Sequence, residues 1–158
     1  MMERVWISLG IICFLLLTAC DGECVFSGSE VISTEGWEAE ESVKFEWQVK
    51  DTLTQHDFFI DLRHDQSYPF SNIYLFVDFT FPNGKNLRDT ISCNLADDRG
   101  VWLGTGFGNL VDHRIGFRKS TSFPVAGDYS IEVAHGMRET PLPGMRDVGF
   151  RLEKSHEL

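Results

Sequence analysis

The stretch Ile73-Tyr74-Leu75-Phe76-Val77-Asp78-Phe79-Thr80-Phe81 decides how the chain folds. Ile73, Leu75, Val77, Phe79 and Phe81 recur at every second position, which is the period of a β-strand; a helix would scatter them around its axis. Tyr74 and Phe76 occupy the opposite face, so the strand reads as central and covered on both sides. Pro82-Asn83-Gly84-Lys85 follows, and Asn-Gly favours the positive φ of a tight turn. The strand after that turn is expected to point Leu87, Ile91, Cys93 and Leu95 inward.

Similar patterns extend in both directions. Upstream, Val43, Phe45, Trp47 and Val49 alternate with Lys44, Glu46, Gln48 and Lys50, a half-buried strand with Trp47 in the core. Phe58-Phe59-Ile60-Asp61-Leu62 is a second short run. Downstream, weaker strands are predicted at 101–103 and 115–118, a stronger one through Tyr129, Ile131, Val133 and His135, and a last one through Val148, Phe150 and Leu152. Helical periodicity is hinted at only over 38–45, where the strand beyond competes with it. Some seven to eight short strands separated by glycine-containing turns predict an all-β fold, a single antiparallel β-sandwich domain over 37–158. Within it, Phe123-Pro124-Val125-Ala126-Gly127-Asp128-Tyr129 places a tyrosine just after a turn, where its hydroxyl can fold back onto the loop backbone.

The N-terminus has a different character. Residues 5–19, VWISLGIICFLLLTA, carry no charge, and at 15 residues the run is shorter than the roughly 20 needed to cross a bilayer. It has the length of a signal-peptide core, and Leu17-Thr18-Ala19-Cys20 has the form of a bacterial lipobox. Residues 1–19 are therefore predicted to be a lipoprotein signal peptide and Cys20 the lipidated residue, carrying diacylglycerol and an N-acyl chain such as palmitate. Several acyl chains suffice for stable anchoring without a spanning helix. Residues 20–36, rich in Gly, Ser and acids, read as the lipidated end and a flexible tether. Cys13 leaves with the signal, so Cys24 and Cys93 remain as a possible disulfide in a compartment where such bonds persist, although a buried Cys93 and a loose Cys24 fit equally well.

Charge narrows the partners. Lys and Arg number 14 against 24 Asp and Glu, a net charge of −10, which argues against nucleic acid and its phosphates. The signal removes one acid, Glu3, and one base, Arg4, so the excess stays on the mature protein. With no polybasic segment, the acyl chains are expected to do the holding while the domain stands off the membrane, its partner a protein rather than a lipid headgroup.

Catalytic and cofactor motifs are weak. His56-Asp57, Asp61, His64-Asp65 and Asp112-His113 are metal-ligand types, but HExxH, His-x-His and three-ligand spacings are absent, so these residues are expected to be solvated loop residues. The chain holds no Gly-x-Ser-x-Gly elbow, and acid pairs such as Asp97-Asp98 are expected among 24 acids. Gly104-Thr105-Gly106-Phe107-Gly108 lacks the Lys-Ser/Thr of a phosphate loop and reads as a turn or bulge, so no nucleotide and no cofactor is expected. Trp37, Trp102, Tyr68 and Tyr74 offer a stacking platform for sugars if they are exposed, the basis of an alternative reading as a surface glycan-binding lipoprotein; core packing is the competing role.

A longer series of segments carries a resemblance. It runs through Asp51-Thr52, Leu62-Arg63, Tyr68-Pro69-Phe70-Ser71-Asn72, Phe81-Pro82-Asn83-Gly84-Lys85, Asp89-Thr90 and Leu95-Ala96-Asp97. It continues through Gly100-Val101-Trp102-Leu103-Gly104, Gly127-Asp128-Tyr129, Met137-Arg138 and Asp147-Val148-Gly149-Phe150-Arg151. In order and spacing these resemble the gliding motility lipoprotein GldH family of the Bacteroidota, over 37–153. The resemblance implies a cell-envelope lipoprotein, expected in the outer membrane, that works with other envelope proteins of the gliding and type IX secretion machinery and has no known enzymatic activity. Similar proteins also occur in Bacteroidota that do not glide. Arg63, Tyr68, Asn72, Trp102, Arg138 and Asp147 match the family's motifs and are candidates for a partner-binding face, or for turns and strand ends that fix the fold.

Overall fold

The computed structural model describes residues 24–155. Cys20 and the signal segment lie outside them. Nine strands are formed among the described residues: β1 (Cys24–Val31), β2 (Val43–Val49), β3 (His56–Asp65), β4 (Asn72–Thr80), β5 (Asn86–Asn94), β6 (Thr105–Phe107), β7 (Leu110–Thr121), β8 (Gly127–His135) and β9 (Met145–Lys154). Sheet I has the order β1-β9-β3-β7-β6, and sheet II the order β2-β8-β4-β5. Every strand pairing is antiparallel. Two such sheets packed face to face form a β-sandwich.

The period-two pattern explains why the layers close. Ile73, Leu75, Val77 and Phe79 of β4 are buried, as are Val43, Phe45, Trp47 and Val49 of β2 and Val148, Phe150 and Leu152 of β9. Aromatic rings fill the centre: Trp47 stacks on Tyr129 with ring centroids 5.9 Å apart and tilts onto Phe150 at 5.1 Å. Each fully buried ring or branched aliphatic is worth about 2–3 kcal/mol of apolar burial. Tyr129 donates its hydroxyl to the Val125 carbonyl at 2.8 Å, the corner expected after the glycine turn.

Several expectations need correction. The tether read over 20–36 is in part a strand: β1 pairs with β9 from Cys24↔Glu153 to Val31↔Asp147. Its outward Ser27 and Ser29 look like linker residues, yet Phe26 packs against Phe45, Trp47 and Phe150 inside. The strand expected at 101–103 is a single bridge, Ala96↔Trp102, and residues 38–45 form no helix. β4 is central in sheet II, but its outer face is open to solvent, with Tyr74 45% and Phe76 37% exposed. Leu87 shares the inward parity of Ile91 and Cys93 and stands opposite the buried Phe79, but it is 37% exposed because β5 is the edge strand of its sheet. Cys24 and Cys93 are free thiols. One starts an edge strand of sheet I and the other nears the end of an edge strand of sheet II, so the pair is not bridged.

The strand directions sort the connections into two ends. The Cys24 end carries the start of β1, the connections 50–55, 81–85 and 122–126, and the end of β9. The Tyr68 end carries 32–42, 66–71, 95–104, 108–109 and 136–144.

Candidate functional site

The outer face of sheet I bears a charged groove. β3 turns Asp61 and Arg63 outward, β7 turns Asp112 and Arg114 outward, and β9 turns Asp147 outward, because each alternates with buried neighbours. Register sets Arg63 opposite Asp112 on one side and Asp147 on the other. Arg63 Nε donates to Asp112 Oδ1 at 2.6 Å, and Arg63 Nη1 lies 3.6 Å from Asp147 Oδ2. Arg114 Nε donates to Asp61 Oδ1 at 2.9 Å. The carboxylate of Asp112 raises the Arg63 pKa further, so the guanidinium is a fixed charge. The cavity holds about 510 Å³, and Ser27, Gly28 and Ser29 of β1 with Thr105 of β6 complete its walls. Its floor is low because Gly149 has no side chain: a Cβ there would meet the Gly28 carbonyl oxygen at 2.9 Å. Half-exposed pairs of this kind contribute about 1 kcal/mol or less to stability, so their ordered array matters more for recognition than for folding.

Beside the groove, at the Tyr68 end, lies a buried polar cluster. His64 and His113 face each other through their Nε2 atoms at 3.1 Å. His64 Nδ1 donates to the Asp65 carbonyl at 2.9 Å, so a neutral His64 accepts at Nε2 from His113. Burial, and then the neighbouring His64, push the His113 pKa down to about 4. Trp102 covers His64 edge-on at 4.4 Å, and Tyr68 lies 5.2 Å away. Tyr68 donates its hydroxyl to the Asn72 carbonyl at 2.8 Å, and burial pushes that hydroxyl's pKa up. Arg146 Nη2 donates to Asp65 Oδ2 at 2.5 Å, while Asp65 Oδ1 accepts from the Ser67 amide at 2.8 Å. Gly144, at φ +77, sits so close that a Cβ would lie 2.4 Å from the Tyr68 amide nitrogen.

The histidines thus contradict the solvated-loop expectation. His56, His64 and His113 are 4%, 0% and 6% exposed and lie on β3 and β7. The signal was present: His56 and His64 share a parity with Phe58, Ile60 and Leu62. Among the described residues no group of three or more His, Cys, Asp or Glu converges as a metal site. The sugar platform loses two members as well. Trp37 is fully buried, its Nε1 donating to the Glu41 carbonyl at 2.8 Å, and Tyr68 is 2% exposed.

The six candidate partner-face residues fall in three places. Arg63 and Asp147 meet in the groove. Tyr68, Asn72 and Trp102 build the adjoining end, where Val101 and Leu103 on either side of Trp102 are 57% and 61% exposed. Arg138 is exposed on the other sheet's side, in a cleft of about 710 Å³ with Phe70, Tyr74 and Met137. Burial pushes the Cys93 thiol up to about 11, which leaves it protonated and unreactive.

The model of the GldH lipoprotein family matches residues 24–152, from the first residue of β1 to β9. The chain belongs to the GldH lipoprotein family. A gliding motility lipoprotein GldH homolog of Christiangramia forsetii is 32% identical over 148 residues, covering 89% of this chain and 90% of its own. The gliding motility lipoprotein GldH of Flavobacterium johnsoniae is 29% identical over 147 residues, covering 89% and 91%. A solved infectious bursal disease virus VP2 subviral particle aligns at a TM-score of only 0.33 with 13% identity, over 83% of this chain and 30% of that one. The GldH match begins with β1, in agreement with that strand's place in the sandwich.

Proposed function

We propose that this GldH-family chain is a lipid-anchored protein of the cell envelope, held in the outer membrane through Cys20, that acts without catalysis as a component or assembly factor of the gliding and type IX secretion machinery. The observation that carries a binding role is the convergence of Arg63 and Asp147 from strands β3 and β9 into one groove, beside Trp102 and its exposed apolar neighbours. Ordered charges give specificity and steer encounter, while exposed apolar residues beside them add contact area. The partner this fits is a protein surface of mixed charge. The relatives' names, gliding motility lipoproteins, support the same assignment.

The test is crosslinking in living cells with a photoreactive residue at Thr105 in the groove wall, followed by identification of the attached protein. The expected result is a discrete envelope protein whose crosslink disappears in Arg63→Glu. Crosslinks that persist unchanged in that variant would sink the groove as the partner face. Cys20→Ala is expected to leave a soluble or unprocessed precursor, read by membrane fractionation.

A further inference from the structure

We infer that the groove on sheet I takes the ammonium group of a lysine side chain from its protein partner, seated over Gly149 and held by Asp147. The inference deepens the groove reading proposed above and rests on it, and two observations carry it.

The first is the charge count. The acids Asp61, Asp112 and Asp147 and the bases Arg63 and Arg114 line the groove. Each arginine is committed to one acid. Arg63 Nε holds Asp112 Oδ1 at 2.6 Å, and Arg114 reaches both carboxylate oxygens of Asp61, at 2.9 and 3.4 Å. The next charges along the sheet, Arg151 and Glu153, pair with each other, with Arg114 4.0 Å from Glu153. Asp147 is left over. Its one ion pair among the described residues is the 3.6 Å approach of Arg63 Nη1 to Oδ2, beyond hydrogen-bond reach. Yet its side chain is the least exposed of the three, at 24% against 33% for Asp61 and 49% for Asp112. A carboxylate accepts several hydrogen bonds, and one partly withdrawn from water without them is an unfilled acceptor. The spare negative charge of the groove therefore sits on Asp147, and it calls for a cation.

The second is the recess beside it. Gly149 lies two residues beyond Asp147 on the same strand and face, between Ser29 of β1 and Asp61 of β3. A Cβ at Gly149 would meet the Gly28 carbonyl oxygen at 2.9 Å, the Cβ of Asp61 at 3.3 Å and the Cβ of Ser29 at 3.6 Å, so these groups wall a hole one side chain wide. Carbonyl, carboxylate and hydroxyl all bring oxygen to it, while the two guanidinium groups nearby are already engaged. A compact ammonium, with three donors and no acceptor on a long unbranched stem, matches such a hole. A guanidinium is a broad planar fork that suits a flat carboxylate edge instead, and a neutral hydroxyl would leave the charge of Asp147 uncompensated.

The test joins carboxylate to amine directly. A water-soluble carbodiimide is added to isolated envelopes carrying the full lipidated chain. It takes up the carboxyl oxygen and leaves as a urea, while an amide forms between the carboxyl carbon and a lysine Nζ in contact with it. A parallel sample carries the photoreactive residue at Thr105. The expected result is a peptide pair, read by mass spectrometry, that joins Asp147 to a lysine of the same protein captured at Thr105. Asp147→Asn should abolish the pair and weaken photocrosslinking several-fold, and Asp147→Glu should retain most of both. Ser29→Lys, at an exposed position of β1, brings the chain's own ammonium to the recess and should block the partner as strongly as Asp147→Asn. Capture at Thr105 that is undiminished in Asp147→Asn and Ser29→Lys, or that occurs with no lysine coupled at Asp147, would overturn the inference and leave the groove as the partner face. No protein captured at Thr105 in the unmutated background would instead overturn the groove reading itself.

Discussion

The two ends of the sandwich are built from the same strands and differ in almost everything else. At the Cys24 end the connections are short, hold no buried polar cluster comparable to the His64–His113 pair, and carry lysines. At the Tyr68 end three of the five, 32–42, 95–104 and 136–144, are longer, fold back over buried polar groups, and hold most of the acids of the connections, Asp51 at the other end excepted. The contrast teaches that a strand framework supplies position, while the connections decide which end is rigid enough to present a specific surface.

The largest test of that contrast is Trp37→Ala. Trp37 is fully buried and bridges connection 32–42 to Leu142 by paired backbone hydrogen bonds, so its loss should cost about 3–5 kcal/mol in denaturant unfolding. Leu53→Ala at the other end should change stability by no more than about 0.5 kcal/mol. Equal effects would break the distinction between the ends.

Next in size is the pH response. His113 has a folded pKa of about 4 against an ordinary 6.5, so the unfolded chain takes up a proton that the native pair refuses. Its contribution is intact above pH 6.5 and is lost as pH falls towards 4, up to about 3 kcal/mol in all. Burial lowers the pKa of His56 and His135 as well, so their contributions have the same sign. A melting temperature that drops between pH 6.5 and 4, with a shallower slope in His113→Gln, is the expected outcome; an unchanged slope in the variant would remove His113 from the account.

A smaller effect should match the ends against each other. Tyr68→Phe and Tyr129→Phe each delete one hydroxyl donated to a loop carbonyl at 2.8 Å, and each should cost about 1 kcal/mol in urea unfolding. Smallest of all, Arg63→Glu should shift stability by about 1 kcal/mol or less, because its pairs are half exposed, even as the partner crosslink is lost. A large stability loss would mark Arg63 as a structural residue.

What was legible in the sequence follows the same division. The β4 stretch, β2 and β9 could be read from alternation alone, because inward residues are apolar and their neighbours mostly polar. Tyr74 and Phe76 misled the reading of the outer face: an exposed aromatic needs no cover when a cation such as Arg88 lies over the ring, here 5.8 Å from that of Phe76. β1 went unread as a strand because an edge needs few inward anchors, and Phe26 is flanked by residues of linker type. The histidine pair went unread because titratable side chains suggest solvent even where their parity places them inside. The groove is a product of register, which pairs Arg63 with Asp147 across 84 positions and leaves no local trace.

The pairing of β1 with β9 has a mechanical consequence. If the chain is held by Cys20 and pulled from a partner at the far end, tension enters along the axis of β1. Antiparallel hydrogen bonds lie across the strands, so such a load stretches the β1–β9 ladder in shear, with its rungs resisting together. A protein fastened by a flexible tether would pass force to its fold at a point; this one receives it along a seam.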